Sequence, residues 1–207
     1  MSLARLCELA SPPLVQGSPY PLHGHFGHGV GDAIHSLLRL KNGFFAFDDA
    51  LHVFPDINVG PLPGIIRWND LATWRYAYGG LADRGVFFAD TIFGDAFVWR
   101  GRSICRFDAQ TATYFPMASS MAEWAAALLR APTLWTGQKL AAAWQERNGP
   151  LPRGQRLITK EPCAPGTEYK VENLRAMDAI ASMRLRGELA LQRRCDVTSG
   201  VHKRAAG

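Results

Sequence analysis

Val86-Phe87-Phe88-Ala89, Ala96-Phe97-Val98-Trp99, Ser103-Ile104-Cys105-Arg106-Phe107 and Ala112-Thr113-Tyr114-Phe115 are four short apolar or aromatic runs between residues 86 and 115. Turn-forming residues separate them: Gly94-Asp95, Arg100-Gly101-Arg102, and Asp108 to Thr111. Parallel neighbours would need a long crossover between each pair, so strands this close together predict an antiparallel meander. Strands that follow one another without intervening helices place the chain in the α+β class rather than among doubly wound parallel sheets.

Upstream, Phe44-Phe45-Ala46-Phe47, the pair Asp48-Asp49, and Leu51-His52-Val53-Phe54 before Pro55 read as a further hairpin. Between the two β regions, Trp68, Leu71, Trp74 and Tyr78 fall at three- and four-residue steps, a helical pattern that Gly79-Gly80 stops. Earlier still, Ala33, Ile34, Leu37, Leu38 and Leu40 predict a helix capped by Asp32 and ended by Asn42-Gly43. Residues 1–31 hold Pro12, Pro13, Pro19, Pro21 and scattered glycines, and are expected to be an extended lead-in. Downstream, Ser120-Met121-Ala122-Glu123 is a capping-box pattern that opens a helix burying Met121, Trp124, Ala125, Leu128 and Leu129. A second helix carries Leu140, Ala141 and Trp144 as far as Asn148-Gly149-Pro150. After a Pro-rich extended segment, Leu174, Met177, Ile180, Ala181, Leu185 and Leu189 outline a last helical region, with Gly187 placed to kink or divide it. The expected organisation is one domain over residues 32–192 and a basic tail over 193–207.

The net charge of +5 is unevenly placed. Residues 184–207 hold Arg184, Arg186, Arg193, Arg194, Lys203 and Arg204 against Glu188 and Asp196. The remaining 17 basic and 16 acidic residues nearly balance, so the excess sits at the C-terminal end. A short basic end is usually a solvated one, and less often an electrostatic arm for nucleic acid. Cys7, Cys105, Cys163 and Cys195 are scattered without a Cys-x-x-Cys pair, the usage of reduced thiols. The start lacks the apolar core of a signal peptide, and no apolar run reaches the roughly 18 residues that span a bilayer. Both features predict a cytoplasmic protein.

Several motifs bear on chemistry. His23-Gly24-His25-Phe26-Gly27-His28 brings three imidazoles within reach of one metal ion, yet no Asp, Glu or Cys adjoins them in sequence and the glycines leave them unorganised. A solvated loop without metal is expected. Gly27-His28-Gly29-Val30-Gly31 matches neither of the glycine-rich phosphate-binding patterns. Gly-x-Ser-x-Gly and His-Glu-x-x-His are absent. Asp48, Asp49, Asp90 and Asp95 lie in or beside the expected turns. Paired carboxylates can do acid–base work or hold a cation, but aspartate is also a preferred turn residue. Read as exposed turn residues, these four are the candidate partner contacts. The aromatic residues lack the interleaved basic residues of a single-strand stacking platform, and read as core. No residue is assigned to catalysis, to a cofactor or to a metal.

The segment Lys41-Asn42-Gly43-Phe44-Phe45-Ala46-Phe47-Asp48-Asp49-Ala50-Leu51-His52-Val53-Phe54-Pro55 resembles bacterial members of the SUKH superfamily. These are relatives of the fungal cell-wall assembly regulator, and many are immunity proteins that neutralise polymorphic toxins. The likeness continues through Phe87-Phe88-Ala89-Asp90-Thr91-Ile92-Phe93-Gly94-Asp95-Ala96-Phe97, Trp124, Thr136-Gly137, Trp144-Gln145, Asn173-Leu174 and Met183-Arg184-x-Arg186-Gly187. The chain departs from the pattern at Thr91, where similar proteins often carry a second acid, and from Arg193 to Gly200. The resemblance implies an α+β fold with a mostly antiparallel central sheet flanked by helices. It also implies a non-enzymatic protein-binding module, an immunity protein that occludes a cognate toxin and needs no cofactor. The alternatives are a regulatory or scaffold module of the same fold, and nucleic-acid binding through the basic C-terminal tail.

Overall fold

The four runs that decide the class pair as expected, and the upstream hairpin extends them. A computed structural model describes residues 2–161 and 169–205, with side chains through Cys195. Cys163 therefore lies outside the described residues. Strands β1 (Phe44–Ala46), β2 (Leu51–Val53), β3 (Val86–Thr91), β4 (Ala96–Arg100), β5 (Ser103–Asp108) and β6 (Thr113–Ala118) form one sheet in chain order, each antiparallel to the next. Helices α1 (Ser2–Leu9), α2 (His23–Phe26) and α3 (Val30–Leu40) precede it. Helix α4 (Ile65–Asn69) and a 3₁₀ turn (Arg75–Tyr78) lie between β2 and β3, and α5 (Met121–Arg130), α6 (Pro132–Thr136) and α7 (Gln138–Asn148) follow β6. A two-stranded sheet, β7 (Gln155–Thr159) paired with β8 (Leu174–Asp178), leads into the long helix α8 (Ala179–Ala205). The α+β architecture is the one expected.

Aromatic packing holds both sides of the large sheet. Phe88 and Phe97 present their rings edge-on to Trp124 of α5, at centroid distances of 5.1 and 5.6 Å. Phe87 and Phe107 instead meet Trp74 and Tyr78, at 5.0 to 6.5 Å. The hydroxyl half of the α5 cap forms as expected, Ser120 Oγ accepting from the Glu123 amide at 3.2 Å, while the Glu123 carboxylate reaches one residue further, accepting from the Ser119 amide at 2.8 Å.

Five local expectations are corrected. The lead-in is not extended throughout. Helix α1 buries Leu6 and Cys7 and packs on α5, and Lys41 Nζ donates to the carbonyls of Cys7 and Ser11, a cation where a helix C-terminus favours one. The prolines begin only after this helix ends. Asp32 does not precede its helix: α3 starts at Val30, and Asp32 accepts from the Gly29 amide from inside the first turn. Trp68 and Tyr78 do not share a helix, because Asp70 is extended and its carboxylate accepts from the Ala72 amide, breaking the run. Leu174 and Met177 belong to strand β8. Asp178 then accepts from the Ala181 amide at 2.8 Å and starts α8. Finally, Gly187 does not divide α8, which continues past residue 193 to Ala205. A Cβ at Gly187 would stand 2.7 Å from the Ala77 carbonyl, so the glycine lets the helix lie directly on the 3₁₀ turn.

Candidate functional site

The four candidate aspartates have different fates. Asp48 and Asp49 form the β1–β2 turn with Phe47, and the three residues have φ of 57°, 57° and 61°. Left-handed backbone costs non-glycine residues roughly 1–2 kcal/mol each, so the turn must be held from outside. Gln138 and Gln145 of α7 donate to the Asp48 carboxylate and carbonyl, both at 2.9 Å. Arg153 pairs with Asp49 at 3.4 Å and lays its guanidinium over Phe45, 3.9 Å from the ring centroid. Asp48 remains exposed and Asp49 half-buried. Asp95 does lie in a turn, but its carboxylate is committed: Arg106 donates at 2.6 Å and the Ala109 amide at 3.0 Å.

Asp90 is a correction. It is no exposed turn acid but a strand residue, fully buried between His52 and Ala96 in the sheet register. Arg156 of β7 grips both of its oxygens, Nε at 2.9 Å and Nη2 at 2.5 Å. His52 Nδ1 stands 3.4 Å from the same carboxylate without forming a directed hydrogen bond. Its ring is stacked on Phe45 at 4.5 Å and meets Phe54 edge-on at 4.8 Å. A histidine beside an aspartate has the composition of a catalytic pair, but here both side chains are about 1% exposed and Arg156 3%. The cluster is closed to substrate and ties the small sheet to the large one.

Burial holds His52 below the ordinary histidine range, and the charge of Arg156 adds to that against the pull of Asp90. The unfolded chain therefore takes up a proton near pH 6.5 that the folded chain refuses. Stability is expected to fall as pH drops below about 6.5, by up to about 1.4 kcal/mol per pH unit from this group. His52→Phe should flatten that limb while keeping the stack on Phe45. Urea midpoints between pH 5 and 8 for both proteins provide the check, and parallel curves would contradict it.

The histidine segment also differs from expectation. Asp32, four residues beyond His28, comes within 3.9 Å of His23 and 3.4 Å of His28, whose rings stack at 5.1 Å. His25 turns instead towards Phe26. Among the described residues no group of three or more His, Cys, Asp or Glu is arranged to hold a metal ion. No helix of the described residues is long and apolar enough to cross a membrane.

Two surfaces were not legible as sites. One is a groove of about 460 Å³ between β6, α5 and α6, lined by Met117, Arg130, Leu134 and Trp135. Register pairs Phe115 with Arg106 and Arg106 with Phe97, whose ring meets Trp124 of α5, so Phe115 lies on the α5 side of the sheet. The other is a cleft of about 290 Å³ between the β7–β8 sheet and α8. At its mouth, two arginines of the basic C-terminal end reach the β5–β6 turn: Arg193 donates to the Gln110 carbonyl at 3.3 Å and Arg194 to that of Thr111 at 3.5 Å. No local motif marks either surface.

No family model matches the chain, and no curated protein matches it. Among solved structures, that of Atu4351 from Agrobacterium tumefaciens aligns with a TM-score of 0.62 over 91% of this chain and 89% of that one, at 14% sequence identity. The chain thus shares its fold, along nearly its whole length, with that protein.

Proposed function

We propose that the chain is a non-catalytic protein-binding module that docks its partner on the β6–α5–α6 face. The observation that carries this reading is the exposure of large apolar side chains on that face. Phe115 and Leu134 are 51% and 67% exposed, beside the groove of Met117, Trp135 and Arg130. Trp135, Met117 and Arg130 are of types enriched in interface cores, while Glu123 and three alanines complete the wall; the exposed large apolar side chains are what mark the face as a binding site. Pro116 removes a donor from this edge strand, which discourages strand addition and leaves recognition to side chains.

The SUKH-like order of motifs supports a narrower version, an immunity factor that occludes a cognate toxin. Binding of nucleic acid through the C-terminal end is less favoured, since the body of the chain is nearly balanced in charge and Arg194 turns back onto the Thr111 carbonyl. Co-expression with a toxin domain encoded beside this chain tests both levels. The wild type should restore growth and co-purify with the toxin. Leu134→Asp combined with Phe115→Ser should weaken the complex by about 30-fold or more, the effect of losing one strong contact, with an unchanged circular dichroism spectrum. A wild type that neither rescues nor binds would remove the immunity reading. A double variant that binds normally would move docking off this face.

A further inference from the structure

We propose that the cleft between the β7–β8 sheet and α8 binds a small amphiphilic anion, an apolar body ending in a carboxylate or phosphate. Its volume of about 290 Å³ lies at the lower edge of the roughly 300–1,000 Å³ that small-molecule sites occupy. The apolar part of the wall is Ile158 with Leu185 and Leu189, which stand one turn apart on α8 and so share a face. Both leucines remain more than a third exposed, although they flank a well-filled core.

The charged part is Lys160, which donates to the Glu172 carbonyl, with Arg175, Arg186 and Arg193. Arg186 is the informative one. Its side chain is buried, with the residue only 7% exposed, and its guanidinium donates to the carbonyls of Phe93 and Leu157, which are neutral acceptors. Among the described residues no carboxylate forms an ion pair with Arg186, Arg175 or Arg193, whereas Arg106, Arg147 and Arg156 each have one. A buried cation without a counter-charge is unfavourable, and cations converging on low-dielectric walls concentrate positive potential there. An anionic head supplies the missing charge while a short chain covers the leucines. The site is separate from the docking face and does not depend on that reading.

Calorimetric titration and thermal shift of the full chain with octanoate, octyl phosphate, 1-octanol and inorganic phosphate test the assignment. At least one of the two octyl anions should bind saturably and raise the melting temperature, and the tighter of them identifies the head group. Octanol and inorganic phosphate, each lacking one half of the chemistry, should bind about ten-fold more weakly or worse. Arg175→Gln with Arg193→Gln, both on the surface side of the cleft, should weaken binding by a similar factor without changing the fold, and Leu189→Asn should do the same. Octanol binding as tightly as the anions would overturn the proposal, as would an undiminished double variant. So would a stabilising response to polyglutamate in place of both octyl anions, which would make the cleft a site for acidic protein segments.

Discussion

Asp90→Asn is expected to destabilise the fold by about 3–5 kcal/mol, the effect of removing one partner from a buried ion pair. The guanidinium of Arg156 would stay buried at 3% exposure, facing an amide that offers one acceptor where the carboxylate offered two. The carboxylate's electrostatics point the same way. Burial by itself would push Asp90 upward, but Arg156 and His52 outweigh it and hold the group below the usual carboxylate range. Its contribution is therefore present above about pH 4, where the unfolded chain is also ionised, and is lost as pH falls further. The pair holds β7, and with it the small sheet, against β2 and β3. Hydrogen exchange should accordingly show the largest loss of protection in β7 and β8. Replacing both partners, Asp90→Leu with Arg156→Met, should recover most of the stability, because the expense lies in the orphaned charge. Urea denaturation of the single and double variants measures this. An Asp90→Asn protein within 1 kcal/mol of wild type would mean that water reaches Arg156.

This ion pair also shows where sequence reading stops. The meander was legible because each strand neighbours the next in the chain, so its pattern of short apolar runs and turn residues contains its own partners. The α5 cap was legible for the same reason, with Ser120 and Glu123 three residues apart. Asp90 finds Arg156 across 66 residues, and nothing near either residue announces the other. Turn chemistry misplaced it, since an aspartate just before Thr91 and a later Gly94-Asp95 looks like the edge of a turn. The two surfaces were hidden for another reason: β6 with α5 and α6, and β7 and β8 with α8, are neighbours in the chain, but the side chains they leave uncovered follow from packing rather than from any residue pattern. Two departures are local. Asn69-Asp70 interrupts the aromatic series from Trp68 to Tyr78, and Asp178 stands where an N-cap should. Both were overridden by a three- and four-residue apolar rhythm that a broken helix on a sheet reproduces equally well.

That broken segment carries the second large effect. Trp74→Ala is expected to cost about 3–5 kcal/mol, towards the upper end of the range for truncating a buried aromatic. Trp74 is fully buried, with its ring 5.5 Å from Trp68, 5.5 Å from Tyr78 and 5.0 Å from Phe87. The edge-to-face pairs with Tyr78 and Phe87 add about 0.5–1.5 kcal/mol each beyond the area they bury. Its indole N–H also donates to the Trp68 carbonyl at 2.8 Å, an acceptor left unpaired by truncation. The cavity would open beneath the 3₁₀ turn on which α8 rests at Gly187, and beside Thr73, whose carbonyl accepts from Arg184 of α8 at 2.8 Å. Loss of Trp74 should therefore speed hydrogen exchange in the first turns of α8 as well as lower the urea midpoint. Trp74→Phe, which keeps a ring but not the donor, should retain more than half of the lost stability. Loss of only about 1 kcal/mol in Trp74→Ala, the ordinary cost of a point change, would show that the surrounding rings close over the gap. The aromatic stack would then be a filler rather than the joint between sheet and helix.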